Sequence, residues 1–78
     1  MYYETLWAAI KASTDAIPHG HAINHSELRD AFEPMSYETS QTRNIPLETL
    51  VSRNRRSVLH ISIYRMHSGR YELTAYAA

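Results

Sequence analysis

The strongest constraint on the fold lies near the C-terminus, where two β-like segments flank a short polar turn. Residues 58–66 and 70–76 are rich in β-branched and aromatic side chains, and His67-Ser68-Gly69 separates them. A two-residue turn would mix apolar and polar side chains on each face, whereas a three-residue turn keeps one face apolar. The sequence therefore predicts a β-hairpin with a three-residue turn and a left-handed residue at Gly69.

This turn also sets which residues oppose each other across the hairpin. On the apolar face, Ile63 is predicted to pair with Leu73, and Ile61 with Ala75. The outer face then carries Tyr64 opposite Glu72, Ser62 opposite Thr74, and His60 opposite Tyr76.

The N-terminal half predicts two helices joined by a short strand. Apolar and aromatic residues recur at spacings of three and four from about Tyr3 to Ser13, which indicates a packing helix. We expect its stripe to pack in the core or against a second copy, and the stripe consists of Tyr3, Leu6, Trp7 and Ile10. A bridging strand is expected at residues 21–24.

A second helix is expected to begin after Asn24. Asn24 followed by Glu27 has the form of a capping box, and Pro34 terminates the helical pattern, so the helix should run from about His25 to Glu33. The side chains that it should bury are Leu28, Ala31 and Phe32.

A third helix is predicted to start at Pro46, since proline is well tolerated in the first turn of a helix. Before it, Ser36 could cap a turn of helix through residues 37–41. The apolar stripe of the third helix would be Leu47, Leu50 and Val51, and its basic end would be Arg53, Asn54, Arg55 and Arg56. Cations in a last helical turn also suit the helix dipole, so the arginine cluster has a purely structural interpretation as well.

The zero net charge of the chain hides a strong asymmetry between its halves. Residues 1–39 carry two basic and six acidic side chains, whereas residues 40–78 carry six basic and two acidic ones. Seven of the eight basic residues are arginine. This pattern favours an anionic partner for the C-terminal half.

The order of the predicted elements resembles the winged helix-turn-helix family. The short strand at Ala22-Ile23-Asn24 leads into a second helix at Ser26-Glu27-Leu28, residues 46–56 look like a recognition helix, and residues 59–76 look like the wing. The resemblance implies an α+β fold, a small winged-helix-like domain over residues 1–78 with about three helices followed by a C-terminal β-hairpin.

The same resemblance implies binding to double-stranded DNA and a role as a transcriptional regulator, with a homodimer as the expected assembly. The third helix would enter the major groove and the wing would follow the backbone or the minor groove. The residues that would then face DNA are Arg43, Asn44, Arg53, Asn54, Arg55, Arg56, Arg65, His67 and Arg70. Arginine suits this task because its planar fork contacts phosphate or guanine in bidentate fashion.

A second interpretation is a small protein-binding module, such as an inhibitor of the kind that phages and accessory genes encode. Six tyrosines in 78 residues is a high content, and tyrosine and arginine are enriched at protein–protein hot spots. The outer hairpin face, with His60, Tyr64 and Tyr76, would be its contact surface.

Catalytic and metal chemistry find little support in the sequence. The chain has no cysteine, no glycine-rich phosphate loop and no nucleophile motif, so we expect no enzyme and no cofactor. His19, His21 and His25 are close in sequence but lack a coherent ligand spacing, so no metal site is predicted. The absence of cysteine and of a long apolar run favours a soluble, cytoplasmic domain.

Overall fold

A computed structural model describes residues 2–49 and 57–78. Its elements, in chain order, are strand β1 (Tyr2–Tyr3), helix α1 (Leu6–Ala12), a 3₁₀ helix (Ser13–Ala16), strand β2 (His21–Ile23), helix α2 (His25–Asp30) and strands β3 (Thr39–Thr49), β4 (Ser57–Arg65) and β5 (Tyr71–Ala77). The strands form one antiparallel sheet in the order β1-β5-β4-β3-β2.

The C-terminal hairpin prediction is confirmed in its register and its turn. Strand β4 pairs with β5 through Ile63 opposite Leu73 and Ile61 opposite Ala75. Gly69 has a φ of 94°, and its N–H donates to the Met66 carbonyl at 2.9 Å. A left-handed residue closes a three-residue turn without strain only when it lacks a Cβ, which explains the glycine.

The predicted start of a third helix at Pro46 is wrong, because residues 39–49 form strand β3. Ile45 and Leu47, two positions apart, are both buried, which is the period of a strand rather than of a helix. Strand β3 pairs along β4 from Thr39 to Leu47 and pairs with β2 at its C-terminal end. The helical turn expected at residues 37–41 is also wrong, since Glu38 has a φ of 58° and the strand starts at Thr39.

Pro46 lies in this strand at a position where its missing N–H costs no pairing to β4. Val58, the residue opposite Pro46, exchanges both of its backbone hydrogen bonds with Ala78 on the other side of β4. Residues along a strand alternate the side to which their N–H and C=O point, so Val58 uses neither group toward Pro46. Proline is tolerated at such sites.

The winged-helix fold class is therefore wrong as well. The described residues contain two short α-helices and a five-stranded antiparallel sheet, instead of about three helices followed by a hairpin. Residues 46–49, the start of the segment read as a recognition helix, pair with β4 and β2 instead, because strand pairing satisfies their backbone and buries Leu47. Residues 50–56 of that segment lie outside the described residues.

The two observed helices are shorter than predicted. Helix α1 begins after Thr5, whose hydroxyl accepts a hydrogen bond from the Ala8 N–H at 3.1 Å. Tyr3, which was predicted to start this helix, lies in strand β1. Helix α2 has the predicted cap, with Asn24 Oδ1 accepting from the N–H groups of Ser26 and Glu27. It ends at Asp30, and the bridging strand is confirmed as β2.

Both helices pack on the same face of the sheet. One cluster of buried side chains joins α1, β2, α2 and the three long strands, and its members are Ala9, Ile10, Ile23, Leu28, Met35, Ile45, Leu47, Leu59, Ile61, Ile63 and Tyr71. Ala31 and Phe32, which were expected to be buried, are half-buried at the margin of this cluster. The sheet therefore has one covered face and one face that the described helices do not cover.

Candidate functional site

The face of the sheet opposite the helices, called the open face, is the first candidate surface. The cross-strand register places its side chains in adjacent rows, which include Ser40, Thr42, Asn44, Pro46 and Glu48 of β3, Val58, His60, Ser62 and Tyr64 of β4, Glu72, Thr74 and Tyr76 of β5, and Tyr2 of β1. Because four paired strands hold these positions, a partner would meet a surface whose backbone is already ordered.

Aromatic rings dominate both ends of the open face. Tyr2 is 56% exposed, Tyr64 39% and Tyr76 51%. The His60 ring stacks on Tyr76 with centroids 4.6 Å apart and planes 24° from parallel. On its other side, Nδ1 of His60 lies 2.8 Å from Oδ1 of Asn44, so a hydrogen bond and a stacked ring fix the imidazole in place.

Hydroxyl groups form the row between these aromatic ends. Thr42 and Ser62 are neighbours across β3 and β4, with their hydroxyl oxygens 3.2 Å apart, and Thr74 follows on β5. Hydroxyls both donate and accept, so this row offers adaptable hydrogen bonds between two apolar contact areas. The outer-face residues of β4 and β5 were predicted from the hairpin register. Ser40 and Thr42 were missed together with strand β3, and Tyr2 was missed because a two-residue strand leaves no periodic signal.

Arg43, a predicted DNA contact, is committed to contacts within the chain. Its Nε donates to the Ala31 carbonyl and its Nη1 to the Thr42 carbonyl, both at 2.8 Å. Its guanidinium also lies 5.8 Å from the centre of the Phe32 ring. The side chain ties the end of α2 to β3 and lies on the covered side of the sheet.

Arg65 is also held on the covered side. Its Nη1 donates to the Met35 carbonyl at 2.6 Å, and its guanidinium lies 4.3 Å from the Tyr37 ring centre and 5.3 Å from that of Tyr71. The Nε–H of Arg65 is buried and bonds to no atom of the described residues. A buried donor without an acceptor costs about 1–3 kcal/mol, so this group is a place where an acceptor would be stabilising.

The remaining predicted contacts are dispersed. Arg70 pairs with Glu4, with Nε 3.1 Å from Oε1, beside the hairpin turn, and His67 is exposed in that turn. Asn44 and Tyr64 lie on the open face. The other four predicted residues, Arg53, Asn54, Arg55 and Arg56, lie outside the described residues.

A second candidate surface, called the Trp7 groove, lies beside α1 on the covered side of the sheet. It has a volume of about 410 Å³ and is lined by apolar and aromatic side chains together with Arg29 and Arg65. Its main apolar walls are Leu6 and Trp7 of α1, Phe32 after α2, and Tyr71 of β5. Trp7 was expected to pack in the core or against a second copy; it is 53% exposed within this chain, whereas Ile10 of the same predicted stripe is buried together with Ala9.

Neither metal-ligand clusters nor membrane-spanning helices are found in the described part of the chain. Within residues 2–49 and 57–78, no three histidine, aspartate or glutamate side chains come together as a metal site. The helices in those ranges are too short and too polar to cross a bilayer. No protein-family model, curated protein or solved structure matches this chain.

Proposed function

We propose that this chain is a protein-binding module whose docking surface is the open face. The observation that carries the proposal is the grouping of Tyr2, Tyr64, Tyr76 and the stacked His60 on one side of an ordered sheet. Exposed tyrosines of this kind provide large contact areas with little loss of side-chain entropy on binding.

The chemistry of the open face suits a protein surface. Tyrosine rings supply apolar anchors, and the row of Thr42, Ser62 and Thr74 supplies hydrogen bonds between them. Hot spots in protein interfaces combine such aromatic anchors with surrounding polar groups that exclude water. The partner that we infer is a folded protein with pockets for aromatic side chains and with backbone or amide groups facing the hydroxyl row.

The charge of the open face supports a protein over duplex DNA. Among the described residues, its register positions include Glu48 and Glu72, while Arg70 at the turn is paired with Glu4. Binding to DNA depends on cations that neutralise phosphates, and Arg43 and Arg65 are engaged on the covered side. We also propose that the protein acts in the cytoplasm as an inhibitor or accessory protein, either as a monomer or as a homodimer.

The test uses the full chain with three matched sets of substitutions. Tagged protein captures partners from a lysate of the source organism, and each captured protein is quantified by mass spectrometry. Tyr64→Ala with Tyr76→Ala should lower the amount of a specific partner at least about tenfold, because hot-spot tyrosines contribute 2 kcal/mol or more each. Tyr37→Ala is the matched control, since Tyr37 is an exposed tyrosine away from the open face.

The Arg53→Ala, Arg55→Ala and Arg56→Ala triple variant separates the proposal from DNA binding. It should leave partner capture unchanged, and the wild-type chain should bind a mixed-sequence duplex weakly in fluorescence anisotropy. Two results would reject the proposal. One is a salt-sensitive, micromolar affinity for the duplex that the triple variant abolishes; the other is equal partner loss with Tyr37→Ala and with the open-face pair.

A further inference from the structure

The Trp7 groove combines two properties that a ligand site needs. Its walls are mostly apolar, and the indole of Trp7 is half-exposed above them. Its volume of about 410 Å³ falls in the range of about 300–1,000 Å³ that small-molecule sites occupy. The groove lies on the covered side of the sheet, so its role does not depend on the open face.

The charges that line the groove point to an anion. Arg29 and Arg65 both line it, and none of the described residues lining it is acidic. Arg29 is highly exposed and lies 3.5 Å from Asp30 at its closest approach, which leaves most of its donors to solvent. Arg65 lines the groove with a guanidinium that also donates through Nη1 to the Met35 carbonyl.

We propose that the Trp7 groove binds a small amphipathic monocarboxylate, that is, one carboxylate attached to a medium-length aliphatic chain. The carboxylate would accept hydrogen bonds from Arg65 and Arg29, and the chain would lie along Trp7 and Phe32. Arginine is suited to this because its planar fork matches a carboxylate. Covering the Trp7 ring and the neighbouring apolar walls removes their surface from water.

The experiment uses Trp7 as its own reporter, since it is the one tryptophan in the chain. Decanoate is titrated at constant ionic strength and below its micelle concentration while Trp7 emission is followed. The matched probes are decyltrimethylammonium, which has a chain of nearly the same length and the opposite charge, and butyrate, which has the same charge and a much shorter chain. We expect saturable binding of decanoate, with both matched probes at least about tenfold weaker.

Substitutions assign the charge recognition to named side chains. Arg29→Ala and Arg65→Lys should each weaken decanoate binding, the second because lysine keeps the charge but loses the planar fork. Lys11→Ala is the control, since Lys11 is an exposed cation on α1 that does not line the groove. Amide NMR shifts caused by decanoate should be confined to α1, residues 29–35, Arg65 and Tyr71.

Three results would overturn this proposal without affecting the open face. They are an unsaturable response to decanoate, equal binding of decanoate and decyltrimethylammonium, and a loss on Lys11→Ala as large as that on Arg29→Ala. NMR shifts centred on Tyr64 and Tyr76 would also reject it, because they would place the ligand on the other face. Partner capture through the open face is measured independently of all four results.

Discussion

The two faces of strand β4 differ in burial although their side chains alternate along one backbone. Leu59, Ile61 and Ile63 are fully buried under the helices, while His60 and Ser62 between them reach the open face. Aliphatic side chains fill the covered side, and hydroxyls and stacked rings occupy the other. A shift of one residue in register would exchange the two sets, so the pairing that builds the core also presents the contact surface.

The largest effect that tests this comparison is expected in the core. Ile61→Ala removes a fully buried side chain and should cost about 2–5 kcal/mol in the free energy of unfolding. Ser62→Ala, the next residue on the open face, should change it by about 0.5 kcal/mol or less. Urea denaturation of both variants measures the difference. Equal losses of unfolding free energy in the two variants would mean that another part of the protein packs against the open face.

The arginines extend the comparison to charged groups. Arg65→Ala should cost about 1–3 kcal/mol, because it removes the bond to the Met35 carbonyl and the contact with Tyr37. Arg70→Ala breaks an exposed ion pair with Glu4 and should cost about 0–1 kcal/mol. Denaturation at low and at high salt checks this, since only the Arg70 effect should disappear as salt rises. Similar salt dependence for both variants would contradict the assignment of Arg65 to the covered side.

The hairpin turn serves both faces, so strain there should weaken them together. Gly69→Ala forces a side chain into a left-handed conformation at φ 94° and should cost about 1–2 kcal/mol. An added Cβ would meet only Tyr37 at 3.8 Å, an ordinary contact, so the cost comes from the backbone. Gly69→Asn should cost less, since asparagine tolerates this conformation. Thermal unfolding of the two variants measures both costs. A larger loss of stability for Gly69→Asn than for Gly69→Ala would contradict this expectation.

The smallest effect concerns the helix layer alone. Asn24→Ala removes the acceptor for two N–H groups at the start of α2 and should cost about 1 kcal/mol. Ser26→Ala, an exposed neighbour, is the control and should cost less than half of this. NMR shift changes should centre on α2 and leave Tyr64 and Tyr76 unmoved. Changes that spread to those tyrosines would show that the two faces are coupled.

The features that could be predicted from sequence were local ones. The hairpin could be predicted from alternating side chains on either side of Gly69, and the cap of α2 from Asn24 before a helical pattern. Strand β3 was missed because residues 40–44 are all polar and carry no apolar alternation. Pro46 and the spacing of Leu47, Leu50 and Val51 then favoured a helix.

Of the two candidate surfaces, one could be predicted in part from the sequence and the other could not. His60, Tyr64 and Tyr76 were placed on one face by the hairpin register alone. The Trp7 groove was not predicted, because Leu6, Phe32 and Tyr71 come from three segments far apart in sequence. The charge asymmetry was evident in the sequence, whereas the engagement of Arg43 by the Ala31 carbonyl depends on how β3 lies beside the end of α2.

The sequence alone determined the hairpin, its three-residue turn and the start of α2, since each depends on residues close together in the chain. Only the tertiary structure decided that residues 39–49 form a strand, that Arg43 and Arg65 bond to backbone carbonyls, and that Trp7 is exposed. The first of these outcomes depends on strand β4 having one side left to pair after it has bonded to β5. That requirement comes from backbone hydrogen bonding between distant segments, which local side-chain patterns do not encode.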